Sequence, residues 1–227
     1  ETGTGRPNGI EKKANYGEYR NFGNLYISHR GIKTDTKITD YRRWLDIRNA
    51  VAGMTYSIDG VRYDREYIAS SPDGMIAVML RASGKEKINV DLLLKDGNTD
   101  YNGTASGTKI DKGNMTFKGK LTYLSYYCRV AVTPYGKKAK VSINDSALTI
   151  TKADSLLVLL SGGTNYSTET ANYRTNESVL HQRIDDIINK ALAKNYTTLK
   201  TRQQKSHRML FDRCQLSITP DDCNTKP

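Results

Sequence analysis

Between Met54 and Tyr67 the chain reads MTYSI-DG-VRYDREY, and this short stretch constrains the fold more than any other. Asp59-Gly60 separates two runs in which apolar or aromatic residues alternate with polar ones, the strongest local signal for a two-residue hairpin, because both central positions adopt φ > 0 cheaply. Met54, Tyr56 and Ile58 fall on one face of the first strand. Val61, Tyr63 and Tyr67 share one face of the return strand. Pro72-Asp73-Gly74 then turns the chain into Met75–Leu80, a continuous apolar run suited to a strand covered on both sides.

The same grammar continues outward. Phe22–Ile27 reads as a strand, with Gly31–Thr39 as a connecting loop that ends at Asp40. Lys87–Leu94 keeps a period of two through Ile88, Val90, Leu92 and Leu94. Residues 96–109 hold many Gly, Asn, Thr and Ser residues and are expected to form a loop. Asn114–Phe117 and Leu121–Val132 follow as strands, Pro134-Tyr135-Gly136 as a turn, and Lys140–Ile143 with Ala147–Ile150 as a hairpin. Ser155–Ser161 is the most apolar run, short and closed by Gly162-Gly163, so it is expected as a central strand. Strand signals at this spacing point to an antiparallel β-sandwich.

The pattern changes after Tyr166. Thr175 or Asn176 can cap a helix in which Leu180, Ile184, Ile187, Ile188 and Ala191 recur at helical spacing. A second helix is expected from about Thr198 to Arg213, with Leu199, Met209, Leu210 and Phe211 as its apolar face. The resulting division is a lead-in over 1–15, a β-sandwich domain over 16–166, a helical linker over 167–216 and a tail over 217–227. The chain opens with ETGTGRPNG, without Met, which suggests a processed or incomplete chain.

Composition narrows function mostly by exclusion. The chain has 227 residues and a formal net charge of +11. Its Lys and Arg are dispersed, and the densest cluster is Lys137-Lys138-Ala139-Lys140. This favours a solvated basic surface over a nucleic-acid interface. No apolar stretch approaches the ~20 residues of a membrane-spanning helix. Cys128 lies in an apolar strand and is expected to be a buried thiol. Cys214 and Cys223 either close a small loop or remain free, and with His207 they lack any standard zinc spacing.

His29, His181 and His207 each stand alone in sequence. His181 and Asp185 have the spacing of a surface pair on a helix, and Asp185-Asp186 and Asp221-Asp222 that of solvated faces or tails. Gly162-Gly163 is not followed directly by a helix and makes a poor phosphate cradle. Sequons occur at Asn102, Asn114, Asn144, Asn165, Asn176 and Asn195. Trp44, the single tryptophan, fits a core position better than a sugar-stacking one. Residue patterns alone assign no catalytic residue, no metal ligand and no cofactor, and leave the substrate-binding residues unknown.

Wording carries further than spacing. Tyr41–Ile47, Ala50-Val51-Ala52, Tyr56–Val61 and Tyr63–Pro72 resemble the N-terminal β-sandwich of glycoside hydrolase family 95, the inverting α-L-fucosidases. Tyr19–Tyr26 is similar to an aromatic-Gln-x-x-Gly-Asp-Leu segment of that family, with Asn24 where Asp is usual. Ala153-Asp154-Ser155 followed by Leu159–Tyr166 resembles its Ala-Asp…Thr-Asn-Tyr strand, and Leu199–Leu216 its linker helix. In that helix Gln203, Ser206 and His207 replace the usual His, Asp and Tyr. The resemblance implies a supersandwich-like domain that supports an (α/α)₆ catalytic barrel of the same parent protein. That barrel would carry the acid and base, act on an oligosaccharide, and lie beyond Pro227. It further implies a secreted or periplasmic setting and no activity for this chain alone. A free-standing carbohydrate-binding module and a basic nucleic-acid-binding domain are the alternatives.

Overall fold

A computed structural model describes residues 21–33, 35–97, 104–105, 107–121, 123–144 and 146–214. The lead-in over 1–15, the tail over 217–227, Asn102 and Cys223 lie outside the described residues. Two antiparallel sheets face each other. The smaller is built from β1 (Gly23–His29), β6 (Ile88–Asp96), β12 (Ala147–Ala153) and β11 (Lys140–Asn144), in that order. The larger runs β2 (Ile38–Asp46), β3 (Val51–Ile58), β4 (Val61–Ser70), β5 (Met75–Ala82), β13 (Ser155–Thr164), β10 (Ser125–Tyr135), β9 (Asn114–Lys120) and β7 (Thr104–Ala105), with β8 (Lys109–Asp111) also paired to β9.

The Asp59-Gly60 hairpin forms as its residues dictate. Both positions have positive φ, 50° and 76°, and Ile58 pairs with Val61 and Tyr56 with Tyr63 across it. Period two then sorts the strands. Val78 and Leu80 of β5, Leu156 and Val158 of β13, and Cys128 and Val130 of β10 enter the core between the sheets. They meet Ile88, Val90, Leu92 and Leu94 there, all essentially inaccessible to water. The alternate residues Met75, Ala77, Met79, Ala131, Leu157 and Leu159 form a second core on the opposite face of the larger sheet. The apolar runs of β5 and β13 are continuous because both their faces are covered.

That second face is covered by α1 (Glu177–Leu192) and α2 (Tyr196–Phe211). Leu180, Ile184, Ile188 and Ala191 form the buried stripe of α1. Asn176 is its N-cap but makes no side-chain capping bond, whereas Asn195 caps α2 by accepting from the Thr198 N–H at 2.9 Å. Gly162 and Gly163 serve packing. A Cβ on Gly162 would strike the Phe22 ring, and one on Gly163 would crowd Arg183 of α1.

Several sequence expectations are corrected. The 96–109 loop contains β7 and begins the β8–β9 hairpin. Lys112 and Gly113 both have positive φ and fold Asp111 back onto Asn114, a turn available to Lys-Gly although Asn-Gly or Asp-Gly is usual. The strand beginning at Leu121 starts instead at Ser125, because the Leu121 N–H is taken by the Leu124 carbonyl and not by a neighbouring strand. At its far end the strand runs through Pro134, which pairs with Leu156. The Val132 N–H points towards Gly113, so the nitrogen of Pro134, two residues on, faces a side where β9 has already ended and needs no donor. β2 begins at Ile38, ahead of the expected loop end, and a bulge follows Thr39, beside Asp40 at φ 52°.

The apolar face expected for α2 is only partly right. Tyr196, Leu199 and Gln203 are its buried residues, whereas Met209 and Leu210 are 67% and 68% exposed. The helix crosses from β4 towards the β2–β3 turn, which is the sheet's edge, and its last turn has no sheet beneath it.

Candidate docking face and aromatic cleft

The helix layer is pinned by carboxylates that sequence reading passed over. Asp73, in the Pro72–Gly74 turn, is almost fully buried and pairs with Arg202 at 3.0 Å and Lys194 at 3.7 Å, while accepting from Ser70 Oγ at 2.9 Å. Glu66 on β4 receives Lys200 Nζ at 3.0 Å and Arg81 at 3.4 Å. Burial pushes the Glu66 carboxyl up, but the hydrogen bond and charge of Lys200, helped by Tyr196 and Arg81, outweigh it and hold the group below its ordinary value. Tyr196 responds in the opposite sense, raised by burial and by Glu66. On α1, Asp185 is held by Arg129 at 3.1 Å and by the Tyr127 hydroxyl at 3.3 Å. The expected His181–Asp185 pair is therefore replaced by a bond into β10, and His181 packs its ring on Tyr127 at 4.4 Å. Burial, with the Asp185 charge next, raises the Tyr127 phenol to about 12.

At the sheet's edge α2 is locked to the β2–β3 turn. His207 Nε2 bonds to the Ile47 carbonyl at 2.9 Å, Gln203 Nε2 donates to the Ala50 carbonyl at 3.4 Å, and Arg208 bonds to Asn49. Asp46 accepts from both the backbone and side-chain amides of Asn49, which hold its carboxyl below the ordinary value and shape the turn. The departures Gln203 and His207, noted above in the linker helix, are thus used to fix the helix end. Ile47, Met209 and Leu210 remain exposed at this end, and Phe211 stacks on His207 at 5.3 Å. The result is a rigidly held apolar end.

Trp44 meets its expectation. It packs against the helix-side core, directly over Gly53 of β3, where any Cβ would collide with the indole. Cys128 is buried, and burial raises its thiol to about 12, so it stays protonated and inert. Cys214 is exposed and free. The sequon amides of Asn114, Asn165 and Asn195 are engaged by Arg129, by Ser125 with Thr175, and by Thr198 respectively. No cluster of three His, Cys, Asp or Glu residues with metal-binding geometry occurs among the described residues.

The larger sheet extends beyond the smaller one, and on this overhang, facing away from the helices, lies a cleft of about 350 Å³. His29, at the end of β1, shares a hydrogen bond of 2.5 Å with the Tyr56 hydroxyl. Tyr56 and Tyr63 stack at 5.5 Å, and His29 stands edge-on to both. Burial first, and the Arg65 charge second, lower the His29 pKa to about 4, so the ring is neutral near pH 7. His29 does not stand alone in the fold, although its partners lie 27 and 34 residues away.

An antiparallel two-sheet sandwich with a helix pair on its larger sheet is the class this architecture defines. Residues 4–169 match the family model described as "Glycosyl hydrolase family 65, N-terminal domain", and the chain belongs to that family. A 65-residue stretch, 29% of the chain and 8% of the relative, is 35% identical to Alpha-L-fucosidase 2 of Arabidopsis thaliana. A putative kojibiose phosphorylase from human microbiome shares the fold with a TM-score of 0.62 at 13% identity, over 85% of this chain and 28% of that one. The chain therefore spans less than a third of either relative. Together these findings support an N-terminal sandwich domain of a glycoside-hydrolase-like protein, as the sequence resemblance implies.

Proposed function

We propose that this chain is the non-catalytic N-terminal support domain of an inverting α-L-fucosidase-like glycoside hydrolase that acts in a secreted or periplasmic setting. Its partner is an (α/α)₆ barrel of the same parent protein. The observation that carries this reading is the apolar end formed by Ile47, Met209 and Leu210, exposed yet anchored through His207 and Gln203 to the β2–β3 turn. A surface both apolar and rigid is suited to docking another body at low entropic cost. The small share of each relative covered by this chain and the fucosidase match agree with it.

In the whole enzyme a general acid of the barrel protonates the leaving oxygen while a base activates water on the opposite face of an L-fucosyl ring. This domain positions the barrel and takes no part in proton transfer. The test is hydrolysis of a chromogenic α-L-fucoside by the purified chain, by a separately expressed family barrel, and by their mixture. No turnover by the chain and gain or stabilisation of barrel activity in the mixture is the expected result. Turnover by the chain alone overturns the proposal.

A further inference from the structure

The inward residues of β4 are Val61, Tyr63, Arg65 and Tyr67, an apolar and aromatic series interrupted by one cation. Arg65 pairs across the sheet with Met54 on β3 and Leu80 on β5. Its guanidinium carbon lies 5.7 Å from the centre of the Tyr56 ring, and its Nε is buried without a hydrogen-bond partner. No carboxylate forms an ion pair with it among the described residues. The acidic neighbours on its own strand, Asp64 and Glu66, belong to the opposite face, where they bind Arg62, and Lys200 with Arg81.

Arg65 is half-buried, and its buried Nε, left without a partner, costs the fold free energy. An apolar side chain would continue the face at no such cost. The guanidinium is a planar fork suited to a carboxylate, and the walls around it mix aliphatic side chains with the rings of His29, Tyr41 and Tyr56. Tyr41 and Ile38 stand at the mouth, more than half exposed, and Met54 forms part of the floor. The volume, about 350 Å³, is in the range of small-ligand sites.

We propose that this cleft is a saccharide subsite for a pyranose bearing a carboxylate, a uronic acid residue. The acid group sits on Arg65, and the apolar face of the ring lies against the exposed Tyr41 at the mouth. The choice of a sugar over another small acid rests on the proposed membership in a carbohydrate-active enzyme. The guanidinium, the rings and the cavity are read from the structure.

Titration calorimetry of the full chain with a trigalacturonate, the matching neutral trigalactoside and acetate separates the contributions. The trigalacturonate is expected to bind with Kd on the order of 0.1–1 mM, at least about tenfold tighter than either control. Arg65→Met should abolish that preference while raising the melting temperature, because it removes an unsatisfied buried donor. A purely structural arginine would give a lower melting temperature instead. Tyr41→Ala, at an exposed position, should weaken the trigalacturonate about tenfold without unfolding the domain, and keeps the test open if Arg65→Met fails to fold. Equal binding of acidic and neutral sugars, binding indifferent to both variants, or no binding at about 10 mM overturns the proposal. The barrel-mixing experiment is read separately, so failure of the support role and failure of this subsite are distinct results.

Discussion

The larger sheet has two covered faces, and they are covered in different ways. Towards the smaller sheet the core is mostly apolar, with the Tyr126–Asp96 bond of 2.7 Å among its buried polar contacts. Towards the helices the apolar stripe of Leu180, Ile184, Ile188 and Leu199 is framed by Asp73, Glu66 and Asp185, each holding cations. The first face is enclosed by two sheets that share no ladder with each other, but the chain crosses between them repeatedly, so neither sheet can leave without breaking up the other. The second is covered by two consecutive helices at the end of the fold, oriented by charge pairs around a smaller core. Apolar area supplies affinity on both faces. Charge pairing supplies register on one of them.

This contrast can be broken by experiment. The largest effect is expected from Phe117→Ala in the inter-sheet core, about 3–5 kcal/mol, read as loss of the whole domain in one transition by denaturant unfolding. Leu199→Ala under α2 should cost about 2–5 kcal/mol. Its hydrogen exchange should rise in α1 and α2 before it rises in β6 and β12, and uniform exchange would erase the distinction drawn here. Asp73→Ala strands Arg202 and Lys194 and should cost about 1–3 kcal/mol, with the same helix-first pattern.

Acidification sharpens the comparison. The pKa of Glu66 is lowered in the folded state, so its contribution is present above the unfolded carboxylate value and is lost as pH falls through the folded one. His29 is also lowered, to about 4, so its stabilising preference for the neutral form is full above its unfolded value of 6.5 and drains away between there and about 4. Melting temperature should therefore fall from pH 6.5 downwards. His29→Phe should flatten the upper part of that fall, and Glu66→Gln the lower part. The smallest effect on stability, within about 0.5 kcal/mol, is expected for Leu210→Ser. The same change should weaken association with a family barrel, and unchanged association would remove the apolar end from the docking face.

The hairpin at Asp59-Gly60, the buried run Ser155–Ser161 and the inward alternation of Ile88 to Leu94 were all legible in the sequence, because each depends on neighbours within a few residues. Local periodicity and turn chemistry decide such features. What only tertiary structure decided involves partners far apart in the chain. Asp73 reaches Arg202 across 129 residues, and His29 reaches Tyr56 across 27. Arg65 is exceptional only because β3 and β5 place Met54 and Leu80 beside it and because the smaller sheet stops short of it. Met209 and Leu210 follow helical spacing, yet they are exposed because the sheet ends before they do. Sequence periodicity specifies which face of an element is apolar. Whether anything lies against that face depends on the reach of its neighbours, which is set by the packing of distant segments.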